Sequence, residues 1–156
     1  MNIAMIPARL GSKRVKNKNL RPLGGKPLIQ HVIDSVKKTK LFDKIFINSE
    51  AEIFKKVADN NELYFYKRPI SLASDTATND EFVEDFLNHI DCKNIFQILP
   101  TSPFITSNDI HKFYNYFFDK SCHTLVSQKE VRIECTYLNL PINFDKSKQT
   151  PPSQNL

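Results

Sequence analysis

Lys13, Arg14, Lys16, Lys18 and Arg21 set five cations within nine residues that hold no acid, directly after Gly11 and Ser12. A flexible glycine, a hydroxyl, main-chain amides and several cations together suit a polyphosphate. The N–H groups cradle oxygens while Lys and Arg neutralise charge. Of the 22 Lys and Arg in the chain, these five account for the entire excess over 17 Asp and Glu. A basic patch on an otherwise neutral body points to a site for something anionic rather than to general stickiness. Three other readings stand beside it: a solvated basic loop, a nuclear-localisation run, and a nucleic-acid contact. No aromatic residues interleave with the cations to stack bases, so nucleic acid is not the expected partner. The pattern is no Walker loop, because Gly24-Gly25-Lys26 continues with Pro27, and Gly-x-Gly-x-x-Gly is absent.

Other residue types offer less. His31, His89, His111 and His123 show no pattern of a nucleophile dyad or metal site and read as surface or helix histidines. Cys92, Cys122 and Cys135 are odd in number without Cys-x-x-Cys spacing, so neither a disulfide framework nor a zinc site is expected. A reducing, cytoplasmic setting fits that usage. No run of 18 apolar residues suggests a membrane span, and Met1–Pro7 lacks the basic and long apolar parts of a secretory leader.

The basic loop must hang on a scaffold, and the hydrophobic pattern supplies one. Ile3–Ile6 reads as a buried strand ended by Pro7. Pro27 suits the first position of a helix in which Leu28, Ile29, Val32, Ile33 and Val36 recur at helical spacing. Ile45–Ile47 is a second strand, and Ser49 with Glu52 has capping-box spacing before Ile53, Phe54 and Val57. Leu63–Tyr66 is a third strand, and Thr78 with Glu81 a second capping box before Phe82, Val83, Phe86, Leu87 and Ile90. Ile95–Leu99 is a fourth strand. Ser107 is expected to cap a helix bearing Ile110, Phe113, Tyr114 and Phe117, and His123–Ser127 to form a fifth strand.

Such alternation predicts an α/β fold, a doubly wound, mostly parallel sheet with helices on both faces. The 156 residues are expected to form a single domain, with 128–156 as an arm or truncated end where the periodicity fades among prolines. In open parallel sheets, ligands sit beyond the carboxyl ends of the strands. That rule selects the segments Pro7–Arg21, Arg68–Thr78 and Pro100–Ser107.

Those same three segments carry a resemblance. Ile3-Ala4-Met5-Ile6-Pro7-Ala8-Arg9-Leu10-Gly11-Ser12-Lys13-Arg14-Val15-Lys16-Asn17-Lys18-Asn19-Leu20 resembles the opening motif of the cytidylyltransferases that activate acidic sugars. These are the CMP-sialic acid synthetases (acylneuraminate cytidylyltransferases) and their relatives for pseudaminic, legionaminic and 3-deoxy-octulosonic acids. Arg68-Pro69-Ile70-Ser71-Leu72-Ala73-Ser74-Asp75-Thr76-Ala77-Thr78 is similar to the family's second signature, and Leu99-Pro100-Thr101-Ser102-Pro103 to its third. Three motifs stand in order, each just after a predicted strand, and the resemblance extends over almost all of residues 1–127.

The resemblance implies a nucleotide-diphospho-sugar transferase-like fold and a nucleotidyltransferase that moves CMP from CTP to an acidic sugar, releasing pyrophosphate. It implies that Arg9, Lys13 and Lys18 hold the triphosphate and stabilise departing pyrophosphate, with hydrogen bonds from Ser12 and the amides around Gly11. It further implies nucleotide contacts from Asn19, Arg68 and Asn79, cytosine selectivity from the backbone near Ala8 and Leu10, and substrate-side contacts from Thr101 and Ser102. Mg²⁺ is the expected cofactor and a homodimer an expected assembly. Leu99 stands where Gln is common, Ile105 where Arg is common, and Asn48-Ser49-Glu50 where Ser-Thr-Asp is usual. Family members are longer, and their metal-holding aspartate pair lies toward the C-terminus, so the C-terminal part of the fold is expected to be incomplete. Asp75 and Asp109 do not match that pair, and no metal ligand is assigned. The alternative is a truncated nucleotide-binding module without turnover.

Overall fold

The computed structural model describes residues 1–12, 15–128, 136–138 and 140–141. The chain separates into two compact units, Met1–Ser121 and Cys122–Leu156. In the first, β1 (Asn2–Pro7) leads through the basic loop and a single 3-10 turn (Lys18–Leu20) to a short antiparallel pair, β2 (Pro22–Leu23) and β3 (Lys26–Pro27). There follow α1 (Leu28–Thr39), β4 (Lys44–Ser49), α2 (Ile53–Asn60), β5 (Tyr64–Lys67), a 3-10 turn (Ile70–Ala73), α3 (Asn79–His89), β6 (Asn94–Gln97) and α4 (Ser107–Asp119). In the second unit the described strands are an antiparallel pair, β7 (Thr136–Tyr137) with β8 (Leu140–Pro141). Most of the segment read as an arm lies outside the described residues.

Strands β5, β4, β1 and β6 form one sheet in that order, every pair parallel. Pleating sends alternate side chains of β1 to opposite faces. Ala4 and Ile6 join Ile29, Val32, Ile33 and Val36 of α1, Phe54 and Ala58 of α2 and Ile110 of α4. Ile3 and Met5, with Phe46 of β4, meet Phe86 of α3. Helices therefore cover both faces, and the expected α/β architecture is present. Among the described residues no helix is long and apolar enough to cross a membrane.

Several local expectations change. His123–Ser127 forms no strand: it brings only two adjacent apolar residues, and Val126 is 68% exposed, so burial gives the segment no reason to extend. Ser49 does not cap α2; it closes β4, and its Oγ accepts from the N–H of Ala51 instead. The cap of α4 is Thr106 rather than Ser107, because Asp109 stands three residues beyond Thr106 and completes a reciprocal box. Pro27 precedes α1 by one residue rather than starting it. The box of Thr78 and Glu81 forms as the spacing predicts. An element with no counterpart in the periodicity reading is the β2–β3 turn, where Gly24 (φ 57°) and Gly25 (φ 88°) take left-handed conformations that disfavour other residues.

Candidate functional site

The chain leaves β1 for β4 on one side and later returns to place β6 on the other, so strand order reverses between β1 and β6. A ligand crevice is expected beyond the carboxyl ends at such a reversal. A cleft of about 870 Å³ lies at that rim, lined by the loop after β1 (Arg9, Ser12, Lys18, Asn19), by Arg68 and Asp75 after β5, and by Leu99–Thr101 after β6. Its size falls in the ~300–1,000 Å³ range of small-molecule sites. A second hollow, of about 220 Å³, opens at the opposite end of the sheet between Lys37, Lys44 and Tyr64. It is remote from all three rim loops, so the sheet topology favours the larger cleft.

Long-range hydrogen bonds shape the basic loop. Pro7 ends β1, and the Ala8 N–H still donates to the carbonyl of Asn48 at 2.9 Å, prolonging the sheet by one bond. The Leu10 N–H donates to Oε1 of Glu50 at 2.8 Å. Asn19 is buried, and its Nδ2 donates to the carbonyl of Arg9 at 3.3 Å, fastening the end of the loop to its root. Asn17 adopts a left-handed φ of 52°, a conformation Asn tolerates. Lys18 thereby opens a tight turn facing the cleft.

Two arginines contribute in different ways. Arg9 is about one-third exposed, and its Nη1 reaches the carbonyls of Ala73 (3.2 Å) and Ser74 (3.1 Å) and Oδ1 of Asp75 (3.1 Å). Arg68 is 4% exposed, its guanidinium 5.0 Å from the centre of the Phe82 ring, with Nη2 lying 3.4 Å from Oε2 of Glu50. Burial pulls Arg68 below its ordinary range, and Glu50 opposes that pull. Nε of Arg68 and Oδ1 of Asn48 are buried with no hydrogen-bond partner. A guanidinium and a carboxamide with unspent capacity beneath a cleft are uncommon in a finished interior.

Of the residues singled out from sequence, Arg9, Ser12, Lys18, Asn19, Arg68 and Thr101 line this one cleft. Ala8, Leu10, Gly11, Asn79 and Ser102 do not appear in its lining, and Lys13 lies outside the described residues. The amides of Ala8 and Leu10 donate to the Asn48 carbonyl and to Oε1 of Glu50. Asn79 opens α3 and accepts at Oδ1 from Nε2 of Gln97 (2.6 Å), bridging the ends of α3 and β6. Glu50, Phe82 and Val15 were not selected by the sequence reading. The rim rule would have reached Glu50, since it follows β4 at the carboxyl end, but the charge pattern drew attention to cations alone. The arrangement presents cations, a hydroxyl and a buried guanidinium on one side of a concave space, chemistry suited to a polyanion.

The model of the cytidylyltransferase family matches residues 3–150. The chain is 33% identical over 132 residues to an N-acylneuraminate cytidylyltransferase of Streptococcus agalactiae, covering 83% of this chain and 32% of that protein. It is 35% identical over 111 residues to a CMP-N,N'-diacetyllegionaminic acid synthase of Legionella pneumophila, covering 65% and 47%. It thus spans about a third of the length of the first of these and about half of the second. In fold, it superposes on a CMP:2-keto-3-deoxy-manno-octonic acid synthetase complexed with CTP at a TM-score of 0.67, with 18% identity, covering 77% of this chain and 48% of that one.

Proposed function

Because the chain belongs to the cytidylyltransferase family, we propose that it transfers CMP from CTP to the anomeric hydroxyl of an acidic sugar, a sialic or related nonulosonic acid. The observation that carries this reading is the convergence of Arg9, Ser12, Lys18, Asn19 and Arg68 on one cleft at the reversal of strand order. In the proposed reaction the acceptor oxygen attacks the α-phosphorus, a new O–P bond forms, and the bond from that phosphorus to the β-phosphate oxygen breaks. Pyrophosphate departs and the hydroxyl proton passes to solvent.

The chain's own contribution is positioning and charge. In this reading Lys18 and Arg9, which line the cleft, offset negative charge accumulating on the leaving pyrophosphate, the kind of preorganised stabilisation that lowers a phosphoryl-transfer barrier. Ser12 supplies a hydroxyl donor, and the wall formed by Leu99, Pro100 and Thr101 borders the space left for the acceptor. Mg²⁺ is proposed to arrive with the triphosphate. Among the described residues no group of three or more His, Cys, Asp or Glu gathers to hold an ion. Asp75 lines the cleft as a single carboxylate shared with Arg9, so the described residues do not make up a metal site.

Purified protein given CTP, Mg²⁺ and a panel of sugar acids should release pyrophosphate with at least one acid. No release with any acid, beside an active longer relative, overturns the transferase reading. CTP binding by calorimetry without release would leave a nucleotide-binding module, and no binding at all removes both.

A further inference from the structure

Glu50 sits one residue past β4, where the two charged loops approach each other. Its Oε1 accepts from the Leu10 N–H at 2.8 Å, and its Oε2 lies 3.4 Å from Nη2 of Arg68 and 3.4 Å from Oγ of Ser49. Only 11% of its side chain is exposed, against 4% for Arg68. A carboxylate withdrawn this far from water is costly unless good partners meet it. Here the partners come from two separate loops, 40 residues away on one side and 18 on the other.

The contacts constrain Arg68 in two directions. Phe82 holds one face of the guanidinium and Glu50 holds one edge. A planar fork fixed on a face and an edge presents its remaining donors in a set direction. The same carboxylate holds the main chain at Leu10, the root of the loop that carries Ser12 and Lys18. Glu50 itself does not line the cleft. Any influence it has on a ligand therefore passes through Arg68 and Leu10.

We propose that Glu50 is a positioning residue that locks the Arg68 guanidinium and the root of the basic loop into one relative geometry, so that both meet a bound nucleotide together. The identity of that ligand, CTP, rests on the reading above; the lock itself does not.

The test uses the intact chain. Glu50→Gln keeps the shape and the acceptor for Leu10 but removes the charge facing Arg68, while Glu50→Asp keeps the charge and retracts it by one methylene. CTP dissociation constants, thermal unfolding and the Arg68 Nε–H resonance of the free protein are read for each. Loss of a charge-assisted bond at a buried site should weaken CTP about tenfold in Glu50→Gln. In an Arg68→Lys background, which lacks the fork, the same change should weaken CTP by no more than about twofold. Glu50→Asp should recover part of the affinity. The Arg68 Nε–H signal should be displaced in Glu50→Gln before any ligand is added.

A residue serving structure alone would lower the unfolding temperature of Glu50→Gln while its CTP affinity and the Arg68 signal stayed at wild-type values, which would overturn the proposal. Equal losses with and without the Arg68 fork would overturn it as well. If wild-type protein does not bind CTP, the nucleotide reading falls, while the free-protein signal still decides the lock. Displacement upholds it and an unmoved signal refutes it.

Discussion

The two walls of the cleft are built by opposite means. The wall from the loops after β1 and β5 is charged and pinned by hydrogen bonds between distant segments: Leu10 to Glu50, Arg9 to Ala73 and Ser74, and Arg68 to Glu50. The wall after β6 is mostly apolar, with Leu99, Pro100 and Pro103 facing the cleft beside Thr101. Its internal bonds are short-range, from the N–H of Ser102 to Leu99 and of Ile105 to Ser102, and Ser35 Oγ anchors its far end through the Ile105 carbonyl. Cations repel one another and prefer water, so holding several toward one space takes bonds from outside the loop. Prolines fix φ on their own and need fewer. Substitutions in the charged wall should therefore spread through the site, and substitutions in the apolar wall should stay local.

The largest expected effect tests that spread at its most buried point. Arg68→Ala removes one partner of a pair in which both side chains are largely shielded, leaving Glu50 uncompensated. Breaking such a pair costs about 3–5 kcal/mol, measured by urea unfolding. The paired replacement Glu50→Gln with Arg68→Met should lose less, because no charge is then stranded and the Gln oxygen still accepts from the Leu10 N–H. A double variant less stable than Arg68→Ala would show that Glu50 does not depend on Arg68.

Next in size are the half-buried cations of the same wall, Arg9 and Lys18. Lys18→Ala trims a loop side chain and should hardly change unfolding, whereas Arg9→Ala also removes the bonds to the carbonyls of Ala73 and Ser74 and to Asp75 and should cost about 1–2 kcal/mol. On the proposed reading each deletes a charge-assisted contact to the triphosphate, worth about 1.5–3 kcal/mol or roughly tenfold or more in affinity. Calorimetry with CTP checks this. Equal affinity in wild type and both variants would show that the loop does not grip phosphate.

This comparison also shows which features a linear reading can reach. The sheet was legible because burial imprints period: Ile3–Ile6 is continuously apolar where both faces of β1 are covered, and Val32, Ile33 and Val36 recur at helical spacing. The cation cluster and the three rim segments were legible because composition and strand ends mark them. Glu50 was visible as the last residue of Asn48-Ser49-Glu50 at a strand end, but its role was not, since that arises from partners 40 and 18 residues away. Ser49 and Glu52 matched a cap in spacing, but Ser49 was already consumed as the buried last residue of β4, and Glu52 pairs with Lys67. Lys13 and Arg14, central to the charge argument, lie outside the described residues.

A smaller effect should separate the walls by substrate. Leu99 is 46% exposed in the apolar wall. Leu99→Gln adds an amide there without touching Arg9, Lys18 or Arg68. CTP affinity should hold, while KM for the sugar acid should move by about threefold to tenfold, the scale of one altered pocket contact. Steady-state kinetics with each substrate varied in turn reads both. A change in CTP affinity equal to the change in acceptor KM would mean the two walls are not separate subsites.

The smallest effect concerns what the walls share. Each of the two loops beyond β5 and β6 ends in a capping box, Thr78 with Glu81 at α3 and Thr106 with Asp109 at α4. Bonds from the backbone N–H and then the hydroxyl of Thr78 hold the Glu81 carboxyl below its ordinary value. For Asp109 the hydroxyl of Thr106 leads and the backbone follows, with the same direction. A carboxyl depressed on folding contributes stability above its unfolded pKa and loses it as pH falls through the folded one. Glu81→Gln and Asp109→Asn should thus be slightly less stable than wild type near pH 7, and the gap should close as pH drops below about 4. Thermal melts across that range decide it separately for each wall. Both carboxylates are exposed, so added salt should shrink the charge-dependent part of both gaps. A gap that stays constant down to pH values where every carboxyl is protonated would mean that the variants disturb helix packing rather than the caps.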